Sequence, residues 1–235
     1  MHTDIWFPAR WKPADPDLIQ LYSLPTPNGQ KVSICLEEMG LAYEPHRIDI
    51  GKGDQHDPDF MRISPAGKIP AIIDPHGPED EPMLLMESIV ILQYLADKTG
   101  TFFPPTYRAR IEAQQWLTFQ AANIGPFFGQ FGHFFKFAKE LTKDKYALER
   151  YTKVSQRLLA TLNKRLEDRE YIMDDYTIVD MSMVPWVETL AGFYDAWGYL
   201  NMRNFGNVER WRKQVTARPA YQRGKDVCGM QTVKM

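Results

Sequence analysis

Between residues 19 and 40 the chain changes its hydrophobic period, and that change limits what it can fold into. "IQLYSL" (19–24) reads as a strand, whereas Val32, Cys35, Leu36 and Met39 recur at i, i+3, i+4 and i+7, one face of a helix that stops at Gly40. Between the two lies Pro25-Thr26-Pro27-Asn28-Gly29, a handover made of turn residues. "YEPHRIDI" (43–50), "KIPAIID" (68–74) and "PMLLM" (82–86) read as three further strands, and "ESIVILQYLADKTG" as a helix ending at Gly100. Strand–helix–strand, then two strands close together, then a helix, describe a small α/β domain.

The remainder has a single period. After the linker "TFFPPTY", helical spacing runs through "RARIEAQQWLTFQAAN", "YALERYTKVSQRLLATLNKRLED", "TIVDMSMVPWVETLAGFYDAW" and "VERWRKQVTARPAYQRGKD". The expected organisation is an arm at 1–17, the α/β domain at 18–98, a linker at 99–108, and an all-helical domain with a C-terminal tail at 109–235. Trp6, Phe7 and Trp11 of the arm are costly if exposed, so they are expected against the body or a partner subunit.

A chain of 235 residues with net charge −2 has length for a real core and no bulk attraction to nucleic acid or membrane. The charge is uneven: residues 1–105 hold 8 Lys and Arg against 16 Asp and Glu, a balance of −8, and residues 106–235 hold 20 against 14, a balance of +6. Two solvated faces, or docking of unlike domains across a dimer, would both produce this. Cys35 and Cys228 stand too far apart in sequence for a zinc or disulfide framework, and the opening has no apolar run of signal-peptide length; a reducing, cytoplasmic compartment is expected.

Three places could carry chemistry. Asn28 can cap the helix after Pro27, an ordinary role; the functional alternative is that the helix start, with the Thr26 hydroxyl, faces an anion such as a thiolate. Pro70, before a strand, is a candidate for a cis bond, which would turn the backbone N–H and C=O of Ile69 outward to pair with an extended peptide, or it is a plain strand-entry proline. Glu87-Ser88, where a strand meets a helix, suits an amino-acid head group, Glu87 for the ammonium and Ser88 for the carboxylate, or is a cap with a solvated neighbour. "TIVD" is a capping box, so Asp180 is expected to serve folding. Phe127, Phe131, Phe134 and Phe135 form a core stripe or line an apolar pocket, and Cys35 packs in the core.

Taken jointly, these features resemble the cytosolic glutathione transferases over nearly the whole chain. "TPNGQKV", "GKGDQ", "SPAGKIPAI", "MESIVILQYLADKTG", "QWLTFQAANIGPFFGQFGHF" and "ALERYT" are similar to the nu class, the bacterial glutathione-dependent disulfide-bond oxidoreductase type. The resemblance implies a thioredoxin-like glutathione-binding domain followed by an all-α domain, glutathione as cosubstrate, no metal, and a homodimer. It further implies that Thr26 and Asn28 face the glutathione sulfur and that Gln55, with Lys68 beside it, meets the glycyl end. Ile69 next to Pro70 would pair with the cysteinyl backbone, Glu87 and Ser88 would hold the γ-glutamyl head group, and Arg150 would reach the glutathione region. No Tyr or Ser occupies the usual transferase activating position. Reduction of small disulfides is therefore expected ahead of conjugation or peroxide reduction, with an electrophile near Phe127 and Phe131, and ahead of a non-catalytic binding protein.

Overall fold

The computed structural model describes residues 5–230, which fall into two compact units. The first runs to Thr101 and resumes at Pro219; the second is Phe102–Arg218.

The first unit holds β1 (Ile19–Ser23), α1 (Pro27–Met39), β2 (Tyr43–Arg47), α2 (Pro58–Ile63), β3 (Ala71–Asp74), β4 (Met83–Met86) and α3 (Ser88–Thr99). The sheet order is β2-β1-β3-β4; β1 and β2 are parallel, joined across α1, and the other two pairs are antiparallel. Strand alternation gives the sheet two different faces. Leu21, Ile72 and Leu85 share a register and are buried, as are Val32, Cys35 and Leu36 of α1 and Ile91, Leu92 and Leu95 of α3, the two helices being in contact. Tyr22, Ala71 and Ile73 instead form a cluster with Phe60 and Ile63 of α2, and Trp6, Phe7 and Trp11 of the arm pack on it. The Arg62 guanidinium lies 3.7 Å from the centre of the Trp6 ring, and Trp11 Nε1 donates to the Arg47 carbonyl at 3.0 Å. The arm aromatics therefore find their burial on the same chain.

Strands are shorter than the apolar runs. β2 ends at Arg47 rather than residue 50, and β3 begins after the Ile69–Pro70 bond, which is cis. Helix α2 was not expected, because six residues are too few for a period to show; Asp57, accepting from the Asp59 N–H at 2.9 Å, and Pro58 start it.

Helix α1 is buried nearly all round. Its far side is covered by α9 (Pro219–Gly224), where Ser33 Oγ donates to the Gly224 carbonyl at 2.7 Å and a Cβ on Gly224 would stand 2.7 Å from the Ile34 Cα. Helical spacing alone had put these residues with the helical domain. The last residues, 231–235, of the expected tail and residues 1–4 of the arm lie outside the described residues.

The second unit is helical: α4 (Tyr107–Phe119), α5 (Gly125–Gly132), α6 (Tyr146–Arg165), α7 (Ile178–Ala191) and α8 (Gly206–Thr216), with π turns at 120–124 and 133–137 flanking α5. The capping box at α7 forms in full. Asp180 is wholly buried, accepting from the Ile172 N–H at 3.0 Å, the Trp211 Nε1–H at 2.8 Å and the Thr177 N–H at 3.0 Å. Of the phenylalanine stripe, Phe131 is core and Phe127 tilts against Tyr151, while Phe128, outside the stripe, is fully buried. A cavity of about 840 Å³ in this unit is lined by Phe134, Phe135, Tyr194 and Tyr199 rather than by Phe127 and Phe131. Among the described residues no helix is long and apolar enough to cross a membrane.

Candidate functional site

Sheet register brings distant residues to one edge. Ser23 stands beside Arg47, Tyr22 beside Ala71, and Ala71 beside Met86. The chain therefore leaves β1 towards Thr26, leaves β2 towards Gln55, enters β3 from Pro70 and leaves β4 at Glu87, all at the same end of the sheet.

At the end of β1 the chain turns sharply, the Thr26 N–H donating to the Leu24 carbonyl at 2.7 Å. Pro27 is the first residue of α1, so the cap is Thr26 rather than Asn28, its Oγ1 accepting from the Gly29 N–H at 3.3 Å. Asn28 takes the second helical position, half-buried, and its side chain is set at the positive end of the helix. A threonine hydroxyl that accepts from the backbone still has its proton to donate, so Thr26 can cap the helix and serve an anion at once. Gly29 permits the close approach: a Cβ there would stand 2.0 Å from the Leu24 carbonyl oxygen and 2.5 Å from Ser23 Oγ.

Before β3, the Ser64 hydroxyl donates to the Lys68 carbonyl at 2.7 Å and holds the loop that leads into Ile69. Gly67, at φ 60°, packs against the Gln55 carbonyl, where a Cβ would come within 3.1 Å. Gln55 is thereby set beside the 67–70 loop, on a 3-10 turn (Asp54–His56) entered through Gly53 at φ 83°. The arm holds that turn and the helix after it: Arg10 pairs with Asp54 at 2.7 Å, and the Ala9 N–H donates to Asp59 of α2 at 2.9 Å.

At the end of β4, Glu87 adopts φ 67°, ψ 105°, a conformation a non-glycine residue rarely holds without cause. It leaves Glu87 exposed and makes Ser88 the buried first residue of α3, whose opening N–H groups lack intrahelical partners. Behind Ser88 lies a group that sequence reading missed. Lys31 of α1 is only 2% exposed, and its Nζ donates to Ser88 Oγ at 3.2 Å. Burial lowers its pKa to about 7 against the opposing field of Glu87. The available signal was a lysine one turn ahead of Cys35, on the buried side of α1.

Arg150 stands exposed on α6 in the second unit. Both thiols are buried; burial drives Cys35 far above the ordinary thiol range and Cys228 up to about 12. Among the described residues no group of His, Cys, Asp and Glu is placed to hold a metal ion.

A four-stranded sheet of this order, with a capped helix start, a cis proline and a Glu-Ser turn at one edge, and helices making up the second unit, defines a thioredoxin-like domain in the architecture of a glutathione transferase. Residues 26–98 match the family described as glutathione S-transferase, N-terminal domain. The chain is 42% identical over 208 residues to the disulfide-bond oxidoreductase YfcG of Escherichia coli, covering 86% of this chain and 92% of YfcG. A glutathione transferase from Burkholderia graminis, solved with two glutathione molecules bound per subunit, superposes at TM-score 0.91 with 51% identity, covering 92% of this chain and 91% of that one. A Pseudomonas putida glutathione transferase, solved with one glutathione disulfide per subunit, gives TM-score 0.92 and 44% identity, with 94% and 96% covered. The chain belongs to the glutathione S-transferase family.

Proposed function

We propose that this protein is a glutathione-dependent disulfide-bond oxidoreductase whose reacting sulfur comes from glutathione. The observation that carries this reading is the pairing of an anion-ready helix start at Thr26 with the burial of both of the chain's own thiols. The name of YfcG and the ligands of the two solved relatives support it.

In this reading Glu87 takes the ammonium and Ser88 the carboxylate of the γ-glutamyl group. The Ile69 backbone pairs with the cysteinyl residue beside Pro70, and Gln55, with Lys68, takes the glycyl end. Thr26 and Asn28 donate to the sulfur. Arg150 enters only through the family resemblance. The bound thiolate attacks one sulfur of a small disulfide, forming a mixed disulfide and releasing a thiolate that takes a proton from water. A second glutathione thiolate then attacks the mixed disulfide, giving glutathione disulfide and the second thiol. Only the thiolate is nucleophilic, and a free thiol has a pKa of about 8.5. Lowering that by ~2 units needs about 2.7 kcal/mol. A helix N-terminus supplies about 0.3–1 kcal/mol, up to ~2 when partly buried, and a hydrogen bond to a charged group about 1.5–3. The helix alone falls short in most geometries; the helix with Thr26 and Asn28 suffices. A cytoplasmic homodimer is the working form in this reading.

Conjugation or peroxide reduction, with an electrophile near Phe127 and Phe131, is the second reading. Turnover of 2-hydroxyethyl disulfide with glutathione, set against an aryl halide in the same preparation, separates the two. Fast reduction with slow conjugation is expected; the reverse order overturns the oxidoreductase reading.

A further inference from the structure

Lys31 has no part in the roles assigned so far, yet its position is unusual. A lysine is almost never fully buried without a defined partner. Here the side chain runs inward from the first turns of α1 and ends at the hydroxyl of the residue that opens α3.

The contact fixes a direction. While Lys31 is protonated its ammonium group has donors only, so at 3.2 Å Ser88 Oγ is the acceptor. Its own proton is then directed elsewhere, towards whatever lies in front of the start of α3. A cation buried behind a helix N-terminus also adds positive charge where the helix end is already positive. Two positive ends in one place favour an anion between them, and the hydroxyl is oriented to donate to it. Of the charged groups on elements packed against α1, Glu87, just ahead of α3, acts on Lys31. On the α9 side, Arg223 pairs with Glu37 at 2.6 Å, two turns further along α1.

We propose that Lys31 is a positioning residue for the anionic half of the head group: it locks the Ser88 hydroxyl as a donor and supplies the charge that makes the site require an α-carboxylate. Glu87 and Lys31 then divide the zwitterion, one from the solvent side and one from within. The proposal rests on the glutathione reading of this edge. It adds a discrimination by the protein between ligands that keep the carboxylate and ligands that lack it. The amine's pKa of about 7 agrees with this, since an anion in front of Ser88 would hold the proton on Lys31 at neutral pH.

The test uses S-methylglutathione, whose thiol cannot titrate or react, and its counterpart lacking the γ-glutamyl α-carboxylate, S-methyl-(4-aminobutyryl)-cysteinylglycine, with both affinities measured by calorimetry on the full chain. In Lys31→Met, S-methylglutathione should bind at least tenfold more weakly, while the decarboxylated ligand changes less than twofold. Equal losses for the two ligands, or no loss for either, overturn the proposal. Should Lys31→Met fail to fold, the unaltered protein is titrated between pH 6 and pH 8. The preference for the carboxylate-bearing ligand should fall as pH rises through the range in which Lys31 loses its proton, and a constant preference overturns the proposal. Absence of any S-methylglutathione binding by the unaltered protein would instead refute the glutathione reading itself.

Discussion

Replacing Gly29 by alanine should separate the fold from the chemistry. The new Cβ would stand 2.0 Å from the Leu24 carbonyl oxygen and 2.5 Å from Ser23 Oγ. Neither neighbour is free to yield: the Leu24 carbonyl accepts from the Thr26 N–H at 2.7 Å, and Ser23 ends β1 with its carbonyl bonded to the Ile48 N–H at 2.9 Å. Reaching even an ordinary contact of 3.4 Å requires a displacement of about 1.4 Å. The helix cannot translate as a body, because Ser33 and Gln30 are bonded to the Gly224 and Lys225 carbonyls at 2.7 and 2.9 Å. Its first turn must move instead, carrying Thr26 and Asn28 with it. Overpacking costs about 1–3 kcal/mol, and alanine returns about 1 kcal/mol of helix propensity, so the net loss is roughly 0–2 kcal/mol. At about 2–4 °C per kcal/mol for a chain of this size, Tm should drop by less than about 8 °C. A misplacement of about 1 Å at reacting groups can cost about 100-fold in rate. Gly29→Ala should therefore lose about 100-fold in turnover of 2-hydroxyethyl disulfide with glutathione while remaining folded by circular dichroism. Gly206→Ala, where a Cβ meets nothing within 4 Å, is the neutral control. A folded Gly29→Ala protein whose turnover stays within threefold of the original would refute the reasoning.

Three further outcomes are expected. In Thr26→Ala/Asn28→Ala the pKa of bound glutathione, followed by thiolate absorbance, should rise by about 1–2 units, since the hydrogen bonding to charge that is lost is worth about 1.5–3 kcal/mol in total; an unchanged pKa removes both residues from the mechanism. Cys35→Ala/Cys228→Ala should retain disulfide turnover within about threefold, the protein thiols being buried and held protonated, and loss of turnover in a folded variant would return the chemistry to the protein. Asp180→Asn should lower stability by about 1–3 kcal/mol in denaturant titration, because the amide oxygen can keep the bonds from Ile172 and Trp211 while the amide nitrogen in place of the second oxygen cannot accept from the Thr177 N–H. Burial raises Asp180 to about 6, above its unfolded value, so the fold favours the neutral acid, and the stability Asp180 contributes is fully present below about pH 4 and declines as pH rises through 6. The deficit of Asp180→Asn should thus be larger at pH 5 than at pH 7.5, and equal deficits would contradict the raised pKa.

What the sequence by itself determined is what near neighbours decide. The change of period after Ser23, the αL glycines Gly40 and Gly100 that end α1 and α3, the cis candidate at Pro70 and the capping box at Thr177 each depend on a few consecutive residues. The thioredoxin-like class followed from these signals and from motifs that accompany them in a known family. The cap at Thr26 rather than Asn28 turned on a single position, because Pro27 already has helical dihedrals. Only tertiary structure decided the rest. Whether Thr26, Gln55, Pro70 and Glu87 share an edge depends on strand order and register, which join residues 9 to 53 positions apart. The arm and α9 had to fold back before Trp6 or Gly224 acquired a role. Lys31 carried only a faint local mark, its place one turn ahead of Cys35, since a lysine's surroundings are set by whatever packs on its helix. Placing α3 against α1 turned an ordinary helix lysine into a cation behind Ser88.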